Sequence, residues 1–240
     1  VVELVPKDGA PHLREERVAD DVGDAFSLHH ALSLFVHESL KRLDPFSETY
    51  ALDVLTLVEA TLEDPTIVLI KQLDALKREK LGELKAAGVE YDERMAELEK
   101  LEYPKPNREF VYDTFNAFAK KHPWVGGDNI RPKSIARDML EKFFSFREYV
   151  SEYGLERVEG LLLRYLSDVY KTLVQTVPDA DKNDEIDEIV TYFRAMVRQV
   201  DSSLLDEWES MRGKRRDEPR AAVEDKSPGA VDITSDERGF

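Results

Sequence analysis

Residues 155–177 constrain the fold most, because apolar residues recur there at helical spacing for roughly six turns. One stripe is formed by Leu155, Val158, Leu162, Tyr165, Leu166, Val169, Leu173 and Val177. The stripe is widened by Leu161, Leu163, Tyr170 and Val174. A helix that is apolar on most sides lies inside a domain. The pattern predicts a central buried helix with Leu166 in the middle of the core.

The remaining folded region also has the helical period, interrupted at prolines and glycines. A long helix is predicted over about 65–87, with Gly88 just after its end, where glycine is common. Its first half is apolar, whereas 77–85 is charged and is expected to project. Another single helix is predicted over 132–150. The sequence therefore predicts an all-α, multi-helix bundle.

The two ends differ from this helical domain, which we place at 27–212. Residues 1–26 are predicted to be an irregular connecting segment, in which the apolar residues before Pro6 could form one short strand. Residues 213–240 contain few large apolar side chains and many charges. Such a segment cannot bury enough apolar surface to order itself, so a disordered tail is predicted.

Composition limits the function classes. The 240 residues carry a net charge of −16, so any contact with nucleic acid needs a local basic stripe rather than a basic surface overall. The absence of cysteine excludes disulfides, thiolate metal sites and a cysteine nucleophile. No window approaches the roughly 18 apolar residues of a membrane span, and no signal-peptide layout is present. We therefore expect a cytoplasmic protein without a membrane partner.

Compact catalytic motifs are missing from the sequence. It has no Walker-type phosphate loop, DEAD or DEAH tetrapeptide, HExxH zinc motif, GxSxG elbow or GxGxxG fingerprint. We assign no catalytic residue and no cofactor to this chain. His29, His30 and His37 are interpreted as surface histidines rather than metal ligands, because a site needs about three ligands on rigid elements.

Basic residues form the most informative polar pattern. Arg157, Arg164 and Lys171 are seven residues apart, so in one helix they would drift by only about 20° per step. Arg131 and Lys133 lie close together before the predicted helix at 132–150. Such rows can follow a phosphate backbone. The competing explanation is pairing with nearby acids such as Glu156, Asp168 or Asp201.

Trp124 follows His122 and Pro123 in a segment predicted to be a loop. An aromatic side chain in a loop can stack on a nucleobase. The more usual role of such a tryptophan is to cover the edge of a core.

Several ordered segments resemble an uncharacterised C-terminal helical domain of bacterial superkiller-like DEAD/DEAH-box helicases. They are DPFSETYALDVLTLVEATLEDP (44–65), GVEYDERMAELEKLEYPKP (88–106), HPWV (122–125), RPKSIARDML (131–140), YGLERVEGLLLRYLSDVYKTLVQTVP (153–178) and RQVDSSLLDEWE (198–209). The run 159–178 is also similar to the C-terminal helical domain of eukaryotic superkiller-type RNA helicases. The resemblance spans about 46–208.

In such helicases, two RecA-like domains bind ATP and Mg²⁺ and move a nucleic-acid strand. A helical domain completes the ring of domains around that strand and contacts it. The resemblance implies an accessory module that guides single-stranded RNA or DNA and docks on the motor domains, which this chain lacks. The residues expected to contact phosphate are Arg157, Arg164, Lys171, Arg131 and Lys133. The alternative is a free-standing adaptor that binds another protein through 77–85. An enzyme using acidic side chains is disfavoured by the missing motifs.

Overall fold

The chain folds mainly into α-helices in a computed structural model, which describes residues 2–7, 10–18, 30–125 and 130–217, with side chains for 32–125 and 130–212. The helices are α1 (His30–Leu40), α2 (Tyr50–Thr61), α3 (Thr66–Ala86), α4 (Tyr91–Glu99), α5 (Arg108–Lys121), α6 (Ala136–Glu141), α7 (Phe146–Tyr153), α8 (Glu159–Thr176), α9 (Asp184–Asp201) and α10 (Ser203–Asp217). Single 3₁₀ turns occupy Pro123–Val125 and Asp179–Asp181. The predicted all-α class is confirmed.

The N-terminal segment contains a two-stranded antiparallel hairpin. Strand β1 (Val2–Lys7) pairs with β2 (Ala10–Val18), and Val2 lies opposite Val18. The short strand expected before Pro6 therefore exists, and the sequence following it supplies its partner. The rest of the predicted connecting segment, 19–26, lies outside the described residues.

Helix α8 has the central position that its apolar stripe predicts. It packs against α1, α2 and α9, and Leu162, Leu166 and Val169 are completely buried. The helix begins at Glu159 rather than at Leu155. Leu155 is buried in the preceding turn, where its carbonyl accepts a hydrogen bond from the Val158 amide at 2.8 Å.

The single helix predicted over 132–150 is wrong, because two helices with a sharp break occupy this region. Helix α6 ends at Glu141, and Phe143 adopts a left-handed backbone conformation with φ 54°. Helix α7 then starts from Ser145, whose side chain accepts from the Glu148 amide while the Glu148 carboxylate accepts from the Ser145 amide. This capping box satisfies free amides at the new N-terminus and fixes the restart.

By its internal contacts the chain divides into two units, 1–205 and 206–240. Helix α10 continues past the predicted tail boundary at 213 to Asp217, and 218–240 lie outside the described residues. Within the second unit, the Arg212 guanidinium lies over the Trp208 ring at 5.1 Å. None of the helices in the described part of the chain has the length and apolar character needed to cross a membrane.

Candidate nucleic-acid interface

A groove of about 340 Å³ lies between α8 and the connection from α2 to α3. Its polar lining includes Ser33, Asp64, Arg164, Asp168, Lys171 and Gln175. The connection is short because Leu62 leaves the helical conformation and Pro65 precedes the first turn of α3. The turn therefore presents Asp64 to the face of α8 that carries the cations.

Two of the predicted phosphate-contacting residues line this groove from one helix. Arg164 is exposed and Lys171 is half-buried on α8. Asp168 lies four residues after Arg164 and three before Lys171, which are spacings that permit helical ion pairs. Neither pair forms, and among the described residues neither cation has an ion-pair partner within 4.0 Å. The competing explanation of intramolecular pairing is therefore not supported for these two side chains.

Arg157 and Arg131 have different positions. Arg157 is exposed, but it belongs to the turn before α8, so the three residues do not form one helical row as predicted. Arg131 has a side chain that is 55% exposed, and its guanidinium lies 3.6 Å from Asp64 Oδ2. Both arginines are exposed and can reach a phosphate group of a ligand, although Arg131 already lies beside Asp64, which also pairs with Lys133.

Lys133 is the clear correction among the predicted contacts, because its side chain is completely buried. Its ammonium lies 3.0 Å from Asp64 Oδ1 and donates to the carbonyl oxygens of Leu62, at 2.6 Å, and Arg131, at 3.1 Å. Burial lowers the pKa of Lys133, and the neighbouring Asp64 opposes that shift. An ammonium with all its contacts inside the protein cannot bind a strand, so Lys133 has a structural role.

A fully buried carboxylate, Glu59 of α2, lies in the same layer. Its Oε1 accepts from the amides of Ile135 and Ala136, both at 2.8 Å, and from the Tyr165 hydroxyl at 2.9 Å, while Oε2 accepts from the Arg137 amide at 3.1 Å. These are free amides at the start of α6, so the carboxylate caps that helix from another element. We call Glu59, Lys133 and Tyr165 the buried cluster.

The electrostatics of the buried cluster are those of a structural support. Burial raises the pKa of Glu59, whereas its hydrogen bonds to backbone amides and to Tyr165 oppose that shift. Burial also raises the pKa of the Tyr165 hydroxyl well above its ordinary value, so the hydroxyl remains a neutral donor. Four donors surround one carboxylate, and no open position is left on it for a substrate. The cluster therefore holds α2, α6 and α8 together beneath the groove.

A second polar network joins α3, α6 and α7 on another side. Gln72 Nε2 donates to the Ser134 carbonyl at 2.7 Å and to the Tyr149 hydroxyl at 2.8 Å. The Tyr153 hydroxyl donates to Asp138 Oδ2 at 2.6 Å. This network again ties helices together. Among the side chains that the structure describes, no group of three histidine, cysteine or acidic residues could hold a metal ion.

A scan against protein-family models matches residues 1–240, the whole chain, to the family described as "Domain of unknown function (DUF3516)". The chain belongs to this family. A search of curated proteins found no match, and neither did a search of solved structures. The family description assigns no activity, so the groove and the buried cluster must carry the functional argument.

Sequence reasoning missed Glu59, Gln72 and Tyr149 as parts of these networks. The signal for Glu59 was present, since it stands between Val58 and Ala60 in an otherwise apolar stretch of α2. A lone acid at such a position is costly to bury unless donors surround it. The donors come from a segment more than 70 residues away, which local periodicity cannot indicate.

Proposed function

We propose that this chain is the accessory C-terminal helical domain of an ATP-dependent, superkiller-like nucleic-acid helicase. Its role is to guide single-stranded RNA or DNA and to dock on the motor domains. The observation that carries the proposal is the pair of unpartnered cations, Arg164 and Lys171, lining one groove among the described residues. ATP and Mg²⁺ would bind to the motor domains, which carry out the nucleotide hydrolysis. The proposed role also implies a cytoplasmic location.

Three of the six sequence segments that resemble the helicase domain meet at this groove. Residues 44–65 supply Glu59 and Asp64, 131–140 supply Lys133, and 153–178 supply Tyr165 and Arg164. Segments separated by up to about a hundred residues thus share one set of hydrogen bonds and ion pairs. Their joint presence supports a common structural unit, and it supports using the resemblance as a guide to function.

Charge decides how strongly this unit can bind a strand by itself. The net charge of −16 repels phosphate at long range, so binding by the isolated chain must be weak and must depend on salt. Locally, Asp64 is offset by Lys133 and Arg131, whereas Glu63 and Asp168 line the groove together with Arg164 and Lys171, so the groove is not strongly basic by itself. The motor would hold the strand close to the groove and so compensate for the unfavourable long-range field.

The test uses the whole chain and labelled single-stranded RNA and DNA at low salt, followed by fluorescence anisotropy. The variant Arg157→Gln/Arg164→Gln/Lys171→Gln is compared with the control Lys77→Gln/Arg78→Gln/Lys85→Gln, which removes the same charge from α3. The log–log salt slope should fall by roughly 0.7 per lost contact in the first variant only, hence by about 2. Equal affinities and slopes for the parent and both variants would contradict the proposal.

The adaptor function is the second candidate, and exposed apolar side chains on α4 favour it. Tyr91 is 63% exposed and Met95 is 39% exposed, next to the charged half of α3, which packs on α4. A free-standing adaptor binds its protein partner without any helicase motor. Tyr91→Ala/Met95→Ala should therefore abolish that association, whereas Arg164→Gln/Lys171→Gln should leave it intact.

A further inference from the structure

Trp124 is held outward at the end of α5 in a way that the core does not require. Its side chain is 57% exposed and lies in the 3₁₀ turn Pro123–Val125. The ring meets His122 edge to face, with ring centroids 5.6 Å apart. The residue therefore does not have the usual role of a loop tryptophan, which is to cover the edge of a core.

The turn that carries Trp124 is fixed on both sides. Before it, the His122 amide donates to the Phe118 carbonyl at 2.9 Å, and the His122 ring lies 4.5 Å from the Phe118 ring. After it, Val125 is buried and its amide donates to the His122 carbonyl at 3.0 Å. The indole is thus a preorganised surface, so stacking a ligand on it costs little conformational entropy of the protein.

Two lysines lie directly before this turn in an otherwise acidic chain. Residues 114–125 contain no acid, and Lys120 and Lys121 are exposed just before the turn. Glu38 contacts the turn through His122 Nε2, at 2.9 Å, and through the Lys121 ammonium, at 3.3 Å, whereas Lys120 has no ion-pair partner among the described residues. An exposed aromatic ring beside lysines is the arrangement that single-strand-binding proteins use for bases and phosphates.

Helix α1 connects this turn to the groove. Ser33 lines the groove, and Glu38, five residues later, holds His122. Five residues correspond to about 7.5 Å along the helix axis and about 140° around it. The groove and the turn that carries Trp124 therefore both adjoin α1.

We propose that Trp124 is a stacking platform for one base of the single strand whose phosphates contact Arg164 and Lys171, with Lys120 beside the stacked nucleotide. This inference rests on the proposed function, because it takes the strand as the ligand. It adds a contact to the base, whereas the groove contacts only the backbone. Stacking is tolerant of sequence, so the platform would act on any base.

The test uses Trp208→Phe, which leaves Trp124 as the only tryptophan. This variant is titrated at low salt with a ten-nucleotide oligouridine and with an abasic strand of the same length. Tryptophan emission should be quenched by the oligouridine and not by the abasic strand. Trp124→Ala, measured by the fluorescence anisotropy of labelled strands, should lower the affinity for oligouridine by about 5- to 100-fold while the affinity for the abasic strand stays unchanged.

Phe143→Ala is the matched control, because Phe143 is also an exposed aromatic residue, at 86%, and lies outside the turn. It should bind like the parent. If Trp124→Ala binds oligouridine like the parent while Arg164→Gln/Lys171→Gln binds weakly, the stacking inference is overturned and the proposed function stands. If the parent binds neither strand, both are overturned.

Discussion

Lys133 and Arg131 share one carboxylate, Asp64, yet they have opposite environments. The Lys133 side chain is completely buried and bonded to two carbonyl oxygens, whereas the Arg131 side chain is 55% exposed. More generally, the buried cluster and the groove above it use the same residue types for different purposes. The comparison shows that two neighbouring basic residues can differ completely in whether their donors are already used inside the protein.

The largest effect should come from Glu59 in the buried cluster. Glu59→Ala leaves three amides and the Tyr165 hydroxyl without an acceptor. Each buried orphan group costs about 1–3 kcal/mol, so we expect a loss of at least about 4 kcal/mol in the free energy of unfolding. Urea unfolding measures it, with Glu59→Gln as the milder variant that keeps one acceptor oxygen. A loss below about 1 kcal/mol would show that the cluster does not hold the helices.

The direct test of the comparison is to remove each cation from Asp64 in turn. Lys133→Met breaks a buried pair and should cost about 3 kcal/mol of unfolding free energy. Arg131→Met removes an exposed partner and should cost less than about 1 kcal/mol. Both values come from urea titrations under the same conditions. Equal costs would mean that burial does not separate the two sites.

The ion pairs of Glu38 are partly buried, and their contribution to the free energy of unfolding should depend on pH. Partial burial raises its pKa, but hydrogen bonds from His122 and Lys121 outweigh this and hold the pKa of Glu38 below its ordinary value. The unfolded chain therefore binds the proton more readily, and the stabilising contribution is present above about pH 4.5 and is lost as the pH falls further.

The stability difference between the parent and Glu38→Gln should accordingly shrink between pH 6 and pH 3. It should stay below about 1 kcal/mol, because the pair is partly solvated. Thermal unfolding at several pH values measures the difference. A difference that grows on acidification would contradict the assigned direction of the pKa shift.

The smallest stability effect should come from the groove itself. Arg164→Gln/Lys171→Gln removes two cations without ion-pair partners among the described residues, so the free energy of unfolding should change by less than about 0.5 kcal/mol. The same variant should weaken strand binding. A loss of stability comparable to that of Lys133→Met would show that Arg164 and Lys171 support the fold as Lys133 does.

Helix α7 shows how far local signals extend. The separation of α6 from α7 was readable in principle, because Ser145 and Glu148 have the spacing of a capping box. The sequence did not indicate the left-handed conformation of Phe143. A bulky residue rarely adopts this conformation, so the surrounding structure must impose it.

Periodicity and helix breakers in the sequence determined the all-α class and the central place of α8 with Leu166 in the core. These properties follow from contacts between residues three and four apart, so a local pattern contains them. Only the tertiary structure decided that Lys133 and Glu59 are buried while Arg164 is exposed. The environment of a charge depends on which distant amides and carbonyls reach it, and for Glu59 those groups lie 76 to 106 residues away along the chain.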